Sequence, residues 1–178
     1  MSRRSGGTVS ESTSASPTDA RWDDLARSAS IGHEGADDAD LLQELLAFEV
    51  GETAYAVPIE RVREILRMRP ITPVPRVPEL VCGVISIRGE VVEVIDLRRR
   101  LGLSPTQPDR RTRIVVIHGF DGRVTGCMVD RVREVMRVPE EEIRPAAEAD
   151  ADTVSGLCKR GDEFVSMLDL DKVLDIHA

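Results

Sequence analysis

Residues suited to catalysis or metal binding are few and scattered along this chain. His33, His118 and His177 lie far apart, and none stands at metal-ligand spacing from another His or a Cys. Cys82, Cys127 and Cys158 make no CxxC pair. An odd, widely spaced set of this kind reads as buried free thiols in a reducing compartment. No GxGxxG or GxxxxGK(S/T) loop is present to cradle a phosphate, and no GxSxG elbow to present a nucleophile. Asp169 and Asp171 suggest a cation pair, yet Asp169 stands where a helix cap is expected and Asp171 reads as a surface residue. The residues therefore predict no enzymatic activity, no cofactor and no metal site. Two arginine clusters remain, Arg98-Arg99-Arg100 and Arg110-Arg111 with Arg113, and such clusters meet phosphate in nucleic-acid binders. The charge balance opposes that use: the whole chain carries −8, and residues 41–178 hold 20 basic against 24 acidic side chains with four aromatics. The plainer reading is a solvated linker and a helix C-terminus, where positive charge is favoured.

With 178 residues there is room for one ordinary domain or two very small ones. Apolar residues make up 41% of the chain and aromatics 3%, so the core is aliphatic. No run approaches the length of a membrane-spanning helix, and no apolar stretch follows the opening MSRRSGGTVS. A cytoplasmic protein without direct membrane insertion is expected. Residues 1–40 are rich in Ser, Thr, Gly, Ala and Asp and poor in branched aliphatics. They predict a disordered extension, although Trp22 and Leu25 leave open a short amphipathic helix over Asp19 to Ser30.

From Leu41 the pattern becomes one of short alternating runs. Ala47 to Val50 and Thr53 to Val57, around Gly51-Glu52, predict a hairpin. Ile59, Val62, Ile65 and Leu66 have the spacing of one or two helical turns. Four prolines between 70 and 78 predict an extended connection, with a short strand around Ile71 to Val74. Val81 to Ile87 and Glu90 to Ile95 form a second hairpin with Arg88-Gly89 at its tip. Asp96 then caps a short helix ending at Gly102. A polar linker follows, and Ile114 to Ile117 pairs with Arg123 to Val129. Asp130 to Met136 occupies the place of the short helix. Val154 to Lys159 and Glu163 to Leu168 make the last hairpin, and Asp169 opens a closing helix to Ile176.

The two halves repeat. Glu60 to Ile65 matches Asp130 to Val135, Arg88-Gly89 matches Arg160-Gly161, and Asp96-Leu97 matches Asp169-Leu170, in the same order and at nearly constant offset. Two similar five-stranded units in tandem are expected, a first barrel over about 44–103 and a second over about 112–168, with the closing helix at 169–176. Each is small enough that its own core is marginal, so the two are expected to pack together, leaving a groove at their junction.

The string Gly83-Val84-Ile85-Ser86-Ile87-Arg88-Gly89, followed by Val91-Val92-Glu93-Val94-Ile95-Asp96-Leu97-Arg98, resembles the signature of the CheW family. Phe48-Glu49-Val50-Gly51, Ile59 to Ile65, Val129 to Val132 and Ile143-Arg144-Pro145 match it too, and the resemblance spans about 43–176. It implies an all-β fold of two five-stranded SH3-like barrels. It also implies a non-enzymatic adaptor in bacterial chemotaxis, bridging a CheA-type histidine kinase regulatory domain and the cytoplasmic tip of chemoreceptors as a peripheral member of a receptor array. By the same resemblance Val62, Glu64, Arg88 and Gly89 face the receptor, while Ile65, Ile71 and Gly83 face the kinase. The family commonly has Asn where Ser86 stands. The alternatives are a scaffold of a specialised chemosensory system controlling pilus motility or gene expression, and, far behind, a small-barrel nucleic-acid binder.

Overall fold

The computed structural model describes residues 42–119, 122–147 and 152–176. The expected disordered extension over 1–40 lies outside them. β1 (Leu42–Val50) and β2 (Thr53–Pro58) form the first hairpin, in the expected register about Gly51-Glu52. A single 3-10 turn (Ile59–Arg61) leads into β3 (Val62–Arg67), which corrects the helical turns expected over 59–66. A bulge between Val62 and Glu64 interrupts the alternation along β3, so an extended strand displays helix-like spacing. The proline-rich connection contributes one bridge, Thr72 to Val84, in place of a strand.

β4 (Val81–Ile87) and β5 (Glu90–Asp96) form the second hairpin, and α1 (Leu97–Arg100) follows with Asp96 as its cap. β6 (Arg113–His118) pairs with β7 (Val124–Val129). Where a short helix was expected from Asp130, the chain runs extended as β8 (Arg131–Pro139) along the whole of β1, with a bulge at Ala47 and Phe48. A 3-10 turn (Glu140–Glu142), β9 (Arg144–Pro145), β10 (Val154–Arg160), β11 (Glu163–Leu168) and α2 (Leu170–Leu174) complete the fold.

These strands make two sheets, β8-β1-β2-β11-β10-β9 and β3-β6-β7-β5-β4. The all-β expectation holds, but the tandem boundaries at 44–103 and 112–168 do not. The five-stranded sheet is continuous in sequence, whereas the six-stranded one joins the first hairpin to the last third of the chain. The repeating unit is strand, hairpin, helix, hairpin. Its first copy runs from β3 to β7. Its second runs from β8 to α2 and takes its final hairpin, β1–β2, from the beginning of the chain. The matching parallel pairs, β5 with β7 and β11 with β2, mark the same joint in both copies. The sixth strand is only β9, and its counterpart in the other sheet is the Thr72 bridge.

Each sheet closes into a barrel. β3 is one edge of the five-stranded sheet, yet Arg63 Nη1 lies 2.5 Å from Glu90 Oε2 at the start of β5, the strand beside the opposite edge β4. Arg133 of β8 likewise reaches Glu163 at 2.7 Å.

The apolar side chains sort into three clusters. Leu45, Ala47, Ala54 and Ala56 fill the six-stranded barrel with Val165 and Met167. Ile85, Val92, Val94, Ile114 and Val116 fill the five-stranded one. Leu46, Phe48, Val50, Ile95, Val115, Ile117, Val129 and Val173 form the largest cluster, a seam between the barrels. β1 and β6 are thus covered on both faces, which accounts for the unbroken apolar runs Leu45 to Phe48 and Ile114 to Ile117.

Candidate partner-binding surface

The β4–β5 turn and β3 meet on the outside of the five-stranded barrel. Arg88 has φ +51 and Gly89 φ +84, so both central residues of a two-residue hairpin turn are left-handed. This is the type I′ pattern, which matches strand twist and favours Asn or Gly. The corresponding turn of the other barrel is Gly161-Asp162, between Arg160 and Glu163, and Gly161 is its left-handed residue. The sequence match of Arg88-Gly89 to Arg160-Gly161 is therefore one residue out of structural register. Arg160 ends a strand, while Arg88 occupies the position that the second barrel gives to glycine.

Arg88 is 80% exposed, and its Nη2 stands 3.8 Å from Glu64 Oε2. Arg63 lies between Glu64, at 4.0 Å, and Glu90, at 2.5 Å. Four charges thus alternate across the barrel wall. Arg88 is the most exposed of the four, and the long pair it makes with Glu64 contributes little to stability, so Arg88 is better suited to recognition than to holding the fold. Two apolar residues of the same strands are also exposed, Ile65 at 41% and Val91 at 70%. Val91 was not singled out from sequence, because the run Val91-Val92 hides which face each residue takes. The structure sends Val92 into the core and Val91 outward.

The other residues expected to bind partners are placed differently. Val62 is half-buried against the seam. Ile71 packs on the core of the five-stranded barrel. Gly83 is buried, with φ +136, and a Cβ there would stand 2.2 Å from the Thr72 carbonyl oxygen and 3.0 Å from Ile71 Cγ2. Its missing side chain admits the 71–72 segment. Glu64, Arg88 and Gly89 therefore come together, Ile65 lies on the opposite face of β3, and Gly83 and Ile71 pack with the barrel core. Ser86 is exposed, and its carbonyl accepts a bond from Arg69 at 3.3 Å.

The second barrel repeats the arrangement. Arg160 contacts Glu134, and Arg133 Nη1 lies 2.7 Å from Glu163 Oε2. Val135 and Phe164, 50% and 66% exposed, stand at the positions of Ile65 and Val91. Between the barrels a groove of about 590 Å³ runs from Glu90 and Val91 past Arg123 to Leu170, Leu174 and Ile176.

The arginine clusters are engaged within the fold. Arg98 binds Asp130, Arg99 lies 3.5 Å from Asp96, and Arg100 donates to backbone carbonyls of α2. Arg111 pairs with Asp109, and Arg113 donates to the carbonyls of Arg110 and Thr112. Among the described residues no group of three or more His, Cys, Asp or Glu is placed to hold a metal ion. No helix among them is long and apolar enough to cross a membrane. Burial pushes the Cys127 thiol up to about 12 and raises the other two thiols in the same direction, so none is set up as a nucleophile. Cys82, expected to be buried, is partly exposed.

Two closed barrels joined by an apolar seam, with charged and apolar surface outside, have the build of a scaffolding module. The family described as CheW-like domain matches residues 44–177, and the chain belongs to it. The chemotaxis protein CheW of Helicobacter pylori is 32% identical over 83% of this chain and 90% of its own length. That of Bacillus subtilis is 35% identical over 75% and 87%. The crystal structure of the scaffolding protein TtCheW from Thermoanaerobacter tengcongensis superposes with a TM-score of 0.71 at 28% identity, covering 76% of this chain and 94% of that one.

Proposed function

We propose that the protein is a non-enzymatic, cytoplasmic adaptor of a chemotaxis array, joining a CheA-type histidine kinase to the helical cytoplasmic tip of chemoreceptors. The observation that carries this reading is the Arg63-Glu64-Arg88-Glu90 array, exposed at Arg88 and Glu90, with exposed Val91 next to Glu90 in β5. An amphipathic receptor helix presents apolar and charged stripes of the kind this surface complements. Glu64 and Arg88 contact the receptor, Gly89 shapes the turn that projects Arg88, and Val62 supports β3 from the seam side. Ile65 contributes to the kinase contact, with Ile71 and Gly83 setting the backbone beneath it. The protein transmits receptor state by geometry, without chemistry of its own and without a cofactor.

Arg88→Glu puts two acids opposite one another where Arg88 faced Glu64. It is expected to weaken capture of a receptor cytoplasmic fragment about tenfold or more, on the scale of a rim-charge reversal. Kinase capture and the thermal midpoint should stay near those of the parent. Unchanged receptor binding, or unfolding of the variant, would remove Arg88 from the site.

A further inference from the structure

α1 has only four residues, yet two of its three arginines reach across to the other barrel. The chain passes from the five-stranded to the six-stranded barrel at Asp130. Its backbone N–H donates to the Glu49 carbonyl at 3.0 Å. Its carboxylate accepts from Gly51 N at 2.7 Å, in the β1–β2 turn, and from Arg98 Nε at 2.9 and 3.0 Å. Arg98 also holds the Ser104 carbonyl at 2.9 Å. At the other end of α1, Arg100 Nε donates to the Val173 carbonyl at 3.0 Å, and its Nη2 donates to that of Lys172. Arg99 stays within its own barrel, paired with Asp96 and Glu79.

The seam beneath is aliphatic, and burial of apolar area has no preferred direction. Seam packing alone constrains rotation of one barrel over the other only weakly. Charge-assisted hydrogen bonds are directional, and here two sets stand at separate points along the junction. We propose that Arg98, Asp130 and Arg100 are positioning residues that fix the angle between the barrels, so that the Arg88 surface of the five-stranded barrel and the Phe164 surface of the six-stranded one are held in a set relation. This rests on the adaptor reading above, and it assigns these residues to transmission of the signal, separate from binding.

Two variants test it, Asp130→Asn and Arg100→Gln, each in the full chain, so that a folding defect in one leaves the other. Spin labels placed through Val91→Cys and Phe164→Cys, one on each barrel, in a Cys82→Ser background, report the inter-barrel distance. A narrow distribution is expected for the parent and a visibly broader or displaced one for both variants. In unlabelled protein the separate affinities for kinase and for receptor fragment should stay within about twofold of the parent, as for sites remote from a substitution. The receptor-dependent change in kinase autophosphorylation should fall about tenfold, within the usual scale of coupling between sites. An unaltered distance distribution would overturn the proposal. So would full coupling in a variant whose distribution has broadened, or equal loss of both affinities with the coupling. Failure of the unsubstituted protein to bind its partners would instead sink the adaptor reading, and the distance measurement would still decide whether these residues set the angle.

Discussion

Arg88 holds a backbone conformation that an L-residue with a Cβ adopts at a cost of about 1 kcal/mol, where the second barrel uses glycine. Its ion pair with Glu64 is long, with the guanidinium itself exposed, and offsets little of that. A residue that breaks a local rule without an internal gain is a candidate for function. Arg88→Asn, which suits a type I′ turn, should therefore leave the thermal midpoint unchanged or raise it while weakening receptor capture. A clear drop in the midpoint would mean that Arg88 holds the turn together. Cys127 gives a prediction of a different kind. Burial raises its pKa from 9.0 to about 12, so the folded chain keeps a proton that the unfolded chain releases. Its stabilising effect is complete below pH 9 and is lost as pH rises through 12, at up to about 1.4 kcal/mol per unit. Urea unfolding at about pH 8 and about pH 10.5 should show a smaller loss for Cys127→Ala than for the parent. Parallel pH dependence would contradict the assignment.

At the scale of elements, Gly83 and Gly156 are the same position in the two barrels, each admitting a crossing segment against its hairpin. A Cβ at Gly83 would meet the Thr72 carbonyl oxygen at 2.2 Å with φ at +136, whereas one at Gly156 would meet that of Arg144 at 2.9 Å. Gly83→Ala should cost about 2 kcal/mol or more, and Gly156→Ala less, by chemical denaturation. The reverse order would show that the 71–72 segment moves aside freely. The hairpins were legible in the sequence because alternation and turn residues act over a few positions. β3 and β8 were not, since bulges interrupt their alternation. Which hairpin closes which barrel was not legible either. The repeat identifies the pieces, but β1 pairs with β8 across more than eighty residues, and no local pattern carries that choice. Glu64 and Arg88 were visible through the family string. Val91, Val135 and Phe164 needed the facing of each strand, and the register of Arg88 against Gly161 needed both turns in view.

For the molecule as a whole, β1 and β6 contribute to both a barrel interior and the seam, so the two barrels share one cooperative core. Phe48→Ala, in the seam, should destabilise the protein by about 3–5 kcal/mol and keep a single unfolding transition. Two separated transitions would show barrels that fold independently. With the Arg98–Asp130 and Arg100 bonds fixing the angle across that seam, a partner on one barrel meets a rigid body and not a hinged pair. Coupling of two partners by this chain is decided by autophosphorylation of its cognate histidine kinase with the protein, with receptor cytoplasmic fragments, and with both. Kinase activity should change only in the three-part mixture, and Arg88→Glu should abolish the change. A kinase that responds to receptor equally well without the protein, or a protein that binds neither partner at moderate salt, would contradict that coupling.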